Sequence, residues 1–217
     1  MILNLQAIAE APVSHDPFDF FIARDVLPPD WKDAISDDFP RVPGTGSYPM
    51  SALSAGATFQ SLIEELSSEP FAHAVGGPLG CDLTGLTPLV TIRGRSGPKD
   101  GFVHTDAAWK IVTALLYLNP TWQDDGGRLR LLRSSSLDDV AVEVPPAWGT
   151  LIAFRRSDRS YHGHRPFYGE RRLVQVAWAD PADVRREERR HRRSALIKRL
   201  AGAFERRPTV PDANRDR

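Results

Sequence analysis

The sequence predicts a mainly β fold with flanking helices, and three observations carry that reading. Between residues 88 and 179 the chain repeats short runs rich in β-branched and aromatic residues: LVTIR, KIVTALLYLN, GRLRLL, GTLIAF and RLVQVAW. Gly, Pro, Asp and Ser clusters separate these runs with no helical stretch between them, so a β-sandwich or barrel is expected rather than βαβ units. Helical spacing of apolar residues is confined to the flanks of this region.

Taken in order, Phe18, Phe20 and Ile22 alternate as in a half-buried strand. Pro28-Pro29-Asp30 then opens a short helix running toward Phe39. Residues 51–69 place Phe59, Leu62, Ile63 and Leu66 at helical spacing, and Gly76, Gly77, Pro78 and Gly80 break the chain. Within the β region, Asp125-Gly126-Gly127 and Pro145-Pro146 suit hairpin and edge connections. Residues 182–217 carry twelve Lys and Arg against six Asp and Glu. Leu196, Ile197, Leu200 and Phe204 give that segment an amphipathic helix, expected to dock on the β domain with its Arg-rich face solvated. The expected organisation is a single domain: a helical and strand cap over 1–87, a β core over 88–181, and a basic helix and tail over 182–217.

Composition excludes several classes. With 217 residues, 41% hydrophobic and 26% charged, the chain can bury a core and is not globally disordered. Lys plus Arg and Asp plus Glu are both 28, a balance that argues against a dedicated nucleic-acid binder. The longest apolar stretch, 111–118, falls far short of the roughly 18 residues a membrane span needs. The first basic residue is Arg24, so the N-terminus has no positively charged region of a secretory signal. The single cysteine, Cys81 in GGPLGCD, excludes an intrachain disulfide or a Cys-based metal cluster and reads as structural. A soluble cytoplasmic protein with no membrane or nucleic-acid partner is expected.

The chemistry rests on histidine. No G-x-S-x-G elbow and no phosphate-binding P-loop is present, and the G-x-G at Gly44–Gly46 lacks a preceding strand. His104-Thr105-Asp106 places an imidazole and a carboxylate two residues apart, on one face of a strand, where they can share a metal. Further on, RRSDRSYHGHRPFYGERRLVQVAW adds His162 and His164. Two imidazoles and one carboxylate leave three positions of an octahedral ion open, which suits non-haem Fe(II) oxygenases, whereas zinc favours four tetrahedral ligands. The dicarboxylate co-substrate of such enzymes needs a cation inside the barrel. On the last strand Arg172, Val174, Val176 and Trp178 share one face, and Arg171, Leu173, Gln175 and Ala177 share the other. The first set is bulkier and more apolar, so it is read as the interior, with Arg172 preferred over Arg171 as the buried guanidinium.

These motifs together resemble a known family. HTD followed by VTALLYLN, the GGRLRLL turn and strand, GTLIAFRRSDRSYH and an arginine six residues before Trp178 are similar to the Fe(II)/2-oxoglutarate-dependent dioxygenases. The branch is the prolyl-4-hydroxylase-like one that includes the hypoxia-inducible-factor prolyl hydroxylases. The N-terminal PFDFF…LPPDW…FP more loosely resembles the helical cap of bacterial members. The resemblance implies a double-stranded β-helix of the jelly-roll or cupin type, with Fe(II), 2-oxoglutarate and O2, and ascorbate as a stimulant. It implies His104, Asp106 and His162 as iron ligands. His162 is preferred to His164 because the family places a proline four residues after the ligand, and Pro166 fits only His162. Arg172, ten residues beyond His162, takes the position of the 2-oxoglutarate anchor, and Tyr117 that of a tyrosine bonded to the same carboxylate, with Thr113 on its strand face. Where relatives carry a tyrosine before H-x-D, this chain has Arg93 and Arg95. With Lys99 and His164 they read as substrate-facing and favour a small polar metabolite over a prolyl residue in a protein. Two other classes remain open at this point: a non-catalytic β-barrel binding module, and a zinc or manganese cupin-like isomerase or hydrolase.

Overall fold

The computed structural model describes residues 1–98 and 100–186, so Lys99 and the amphipathic segment around Leu196 and Phe204 lie outside the described residues. The chain divides into two compact units, Met1–Asp180 and Pro181–Arg217. The first begins with helix α1 (Leu5–Ala9), strands β1 (Val13–Ser14) and β2 (Phe20–Ala23), and a 3-10 turn, Pro29–Trp31, that runs into α2 (Lys32–Asp37). Strand β3 (Tyr48–Pro49), a second 3-10 turn and helices α3 (Ala57–Leu66) and α4 (Glu69–Gly76) follow. Seven more strands complete it: β4 (Thr87–Ser96), β5 (Lys110–Tyr117), β6 (Leu129–Leu132), β7 (Val140–Val144), β8 (Leu151–Arg155), β9 (His162–His164) and β10 (Gly169–Ala179).

Local chemistry sets the helix ends. Asn4 accepts from the Ala7 N–H and Ser68 from the Phe71 N–H, each satisfying a donor that a first turn leaves unpaired. Glycine is required at position 76, the last residue of α4, because a Cβ there would lie 2.3 Å from the Cys81 carbonyl oxygen.

The strands form a seven-stranded sheet, β1-β2-β8-β5-β10-β4-β3, and a three-stranded sheet, β7-β6-β9. The ladders are antiparallel throughout, for example Val174 against Ile92 and Leu116, and the fold is a double-stranded β-helix. Between the sheets lies a small core of Phe18, Phe20, Leu115, Tyr117, Leu131, Phe154 and Leu173. The other face of the large sheet packs Val112, Leu116, Val174, Val176 and Trp178 against Ile8, Phe59, Leu62 and Phe71 of the helices. Covering both faces of β5 accounts for its unbroken apolar run. No helix among the described residues is long and apolar enough to cross a membrane.

One expectation is overturned. The bulky face of β10, with Val174, Val176 and Trp178, turns toward the helices, and the face with Leu173 lines the barrel. The helical layer offers the larger apolar surface, including Phe71, whose ring centre lies 5.6 Å from that of Trp178, so the larger side chains pack there. The strand bulges between Glu170 and Leu173, and Arg171 falls on the barrel side.

Candidate metal centre

Residues 101–104 run antiparallel to β9 and fix two histidines against each other. The His104 N–H donates to the His162 carbonyl at 3.0 Å, and the His162 N–H returns the bond at 2.9 Å. Their ring centres are 4.4 Å apart, and Phe154 lies against the other side of His162 at 4.8 Å. Asp106, two residues on, brings its carboxylate to the same point. Ligand atoms of His104, Asp106 and His162 all lie within 4.8 Å of one another.

The donors suit a divalent cation. His162 Nδ1 lies 3.0 Å from the Ser160 carbonyl oxygen and His104 Nδ1 2.8 Å from that of Phe102. A carbonyl only accepts, so each Nδ1 carries the proton and each Nε2 keeps its lone pair for a metal. Burial holds the His162 imidazole at about 4, so it is neutral at pH 7. For Asp106 burial acts to raise the carboxyl pKa. The nearby Lys110 ammonium and His162, with hydrogen bonds from Lys110 and Thr113, together bring it below the ordinary value. Lys110 Nζ donates to Oδ1 at 2.8 Å and Thr113 Oγ1 to Oδ2 at 2.5 Å. Thr113 therefore serves the carboxylate of Asp106, although it shares a strand with Tyr117.

Inside the same barrel is a buried cation that makes no close ion pair among the described residues. Arg171 is 3% exposed, and its Nε donates to the Gly127 carbonyl at 2.7 Å. Its Nη2 lies 3.5 Å from the Tyr117 hydroxyl, with the guanidinium carbon 5.4 Å from that ring's centre. No carboxylate among the described residues lies within 4.0 Å of it, and burial lowers its pKa while disfavouring the charge. The same burial raises the Tyr117 hydroxyl. His164, on the same face of β9 as His162, is buried, and its imidazole is pushed down to about 4 by burial and then by Arg171.

Arg172 corrects the expectation placed on it. Its Nε pairs with Glu170 at 2.6 Å, and its guanidinium lies 5.1 Å from the ring centre of Phe39, on the helical side. The alternation that predicts an inward Arg172 points Arg171 inward instead, because the apolar face of β10 belongs to the helices. Arg93 is held by Asp100 at 3.2 Å and Ser47 at 3.3 Å, and Arg95 is exposed. Sequence reasoning passed over Lys110, whose position four residues past Asp106 was the available signal, and Arg156, whose Nε donates to the Asp106 carbonyl at 3.2 Å.

A double-stranded β-helix that gathers two imidazoles and a carboxylate beside a buried guanidinium offers the donor set that suits a mononuclear non-haem Fe(II) site. The model of the 2OG-Fe(II) oxygenase superfamily matches residues 96–180, the stretch that holds all of these groups. None of the curated proteins compared with the chain matches it. Among solved structures, a prolyl-4-hydroxylase from Pseudomonas putida is 23% identical with a TM-score of 0.50, over 82% of this chain and 91% of that one. HygX from Streptomyces hygroscopicus, solved with nickel and 2-oxoglutarate, is 13% identical with a TM-score of 0.54, over 75% of this chain and 82% of that one. A prolyl 4-hydroxylase from Phytophthora capsici is 18% identical with a TM-score of 0.51, over 75% and 59%. Residues 96–180 thus match the 2OG-Fe(II) oxygenase superfamily, and the solved structures share the fold of the chain.

Proposed function

We propose that His104, Asp106 and His162 hold the iron, that Arg171 with Tyr117 seats the far carboxylate of 2-oxoglutarate, and that the enzyme hydroxylates a C–H bond of a small polar metabolite. The carrying observation is Arg171: a fully enclosed guanidinium, with no carboxylate within 4.0 Å among the described residues, in the barrel that holds the His-Asp-His cluster. Such a charge is costly without an anionic partner, and a dicarboxylate supplies one.

The residues divide the work. His104 and His162 present Nε2 with their Nδ1 protons tied to carbonyls, so the rings cannot turn away. Lys110 and Thr113 orient Asp106 and offset part of its charge. Bound Fe(II) with 2-oxoglutarate and O2 supplies the oxidant, with succinate and CO2 as co-products. His162 and His164 sit two apart on β9, about 7 Å along the strand. That spacing lets one elongated diacid run from the metal cluster past His164 to Arg171. Phe154 and Leu173 line this path and keep water from it. A small polar substrate fits the charged surroundings of the cluster, where Lys110 and Arg156 both contact Asp106.

A second reading, a prolyl residue in a protein or peptide, is favoured by Phe102, two residues before His104 and 73% exposed, which would offer an apolar ledge to a peptide. It predicts a gain of about 16 in mass on one partner polypeptide, the mass of one oxygen atom. The central test is anaerobic addition of Fe(II) and 2-oxoglutarate. A visible charge-transfer band is expected in the parent and in His164→Ala, and no band in His104→Ala or His162→Ala. A band lost in His164→Ala and kept in His162→Ala would transfer the ligand role to His164.

A further inference from the structure

Between the segment that joins β1 to β2 and the turn that joins β8 to β9 is a cleft of about 540 Å³, a volume suited to a metabolite-sized ligand. One wall is Phe18 and Asp19, and the other is residues 155–159 of the turn joining β8 to β9. We propose that this cleft seats the anionic group, a phosphate or carboxylate, of the substrate. The inference rests on the oxygenase reading above and narrows its substrate class.

Three features of the cleft carry it. The first is charge. Arg155, Arg156 and Arg159 all line the cleft. Its acids already have partners: Asp19 is 2.7 Å from His15, and Asp158 is 2.7 Å from Arg156. Arg155 and Arg159 have no acid within ion-pair distance among the described residues, so the cleft has a cationic surplus. Guanidiniums that line one cleft can recognise an oxyanion through their N–H donors.

The second is rigidity. Ser160 Oγ donates to the Ser157 carbonyl at 2.8 Å and accepts from the Ser157 N–H at 3.0 Å, so the turn is closed by its own hydroxyl. Ser160 is fully buried, which leaves residues 157–159 little freedom and the cleft preformed.

The third is continuity with the cluster. The inner side of this turn supplies the Ser160 carbonyl that orients His162 and the Arg156 Nε that holds the Asp106 carbonyl. The opposite wall, Phe18, packs edge-on against Phe154, which lies against His162. The cleft is thus joined to the cluster through residues that contact His162 and the Asp106 backbone.

The test is titration of the iron-free full-length protein with inorganic phosphate and, separately, with acetate, followed by the arginine Nε–Hε resonances. Saturable shifts are expected at Arg155 and Arg159. The tighter of the two anions identifies the source as phosphate or carboxylate. Arg155→Glu combined with Arg159→Glu is expected to weaken that binding at least tenfold. Asp158→Asn, which frees Arg156, is expected to tighten it severalfold. Shifts no larger than those of chloride at equal ionic strength, or shifts confined to Arg171, would overturn the proposal. A metabolite extract split by anion exchange gives the link to turnover. Stimulation of 2-oxoglutarate consumption is expected from the retained fraction, and stimulation from the unretained fraction alone would remove the substrate role. Because the titration needs neither iron nor turnover, its failure is separate from loss of the charge-transfer band.

Discussion

Arg171 and Arg172 are adjacent in the chain and opposite in environment. Arg171 is enclosed beside Tyr117, while Arg172 pairs with Glu170, itself 57% exposed. Arg171→Ala is expected to raise the KM for 2-oxoglutarate by about a hundredfold, as loss of one charge-assisted contact of roughly 3 kcal/mol predicts. Arg172→Ala should leave that KM within about threefold and cost no more than about 1 kcal/mol of stability, the ceiling for an exposed pair. Steady-state rates against 2-oxoglutarate and urea unfolding check both. The buried histidines set an acid limit. Burial depresses His162 and His164 from 6.5 to about 4, so between those values the unfolded chain binds more protons than the folded one. Their contribution is present above pH 6.5 and is lost as pH falls toward 4, on the order of 3 kcal/mol for each group. Urea midpoints of the iron-free protein at pH 7.5 and pH 4.5 measure the loss.

At the level of elements, the decisive contact is the pairing of residues 101–104 with β9. The His164 N–H donates to the Gly101 carbonyl at 3.0 Å, one step along from the reciprocal bonds between His104 and His162. Gly101 takes φ +92°, and a Cβ there would lie 2.5 Å from His164 Nδ1 and 2.6 Å from the His164 carbonyl oxygen. Gly101→Ala is therefore expected to destabilise the protein by about 2 kcal/mol or more, through strained backbone and displaced β9. It should also weaken metal binding, because the same pairing positions His104. Chemical denaturation and Mn(II) titration read the two effects separately.

At the scale of the molecule, the iron ligands proposed here come from the segment before β5 and from β9, which only the folded barrel brings together. Metal binding should then stabilise the folded state alone. A divalent ion at a hundred times its Kd is expected to add about 2.7 kcal/mol, seen as a rise in melting temperature. His104→Ala should abolish that rise. An equal rise in His104→Ala would place the metal elsewhere.

The amino-acid order by itself determined the β-rich region, its turns, the H-x-D pair and the distant H-x-H, because period-two alternation and short spacings are properties of consecutive residues. It could not decide which face of β10 looks inward. Val174, Val176 and Trp178 are the apolar face in either case, and only the presence of α3 and α4 behind the large sheet makes that face the outer one. The same dependence exchanged Arg172 for Arg171 as the enclosed cation. Arg156 and Gly101 were illegible for a related reason. Their partners, Asp106 and His164, are met across loops whose closure depends on the register between strands far apart in the chain.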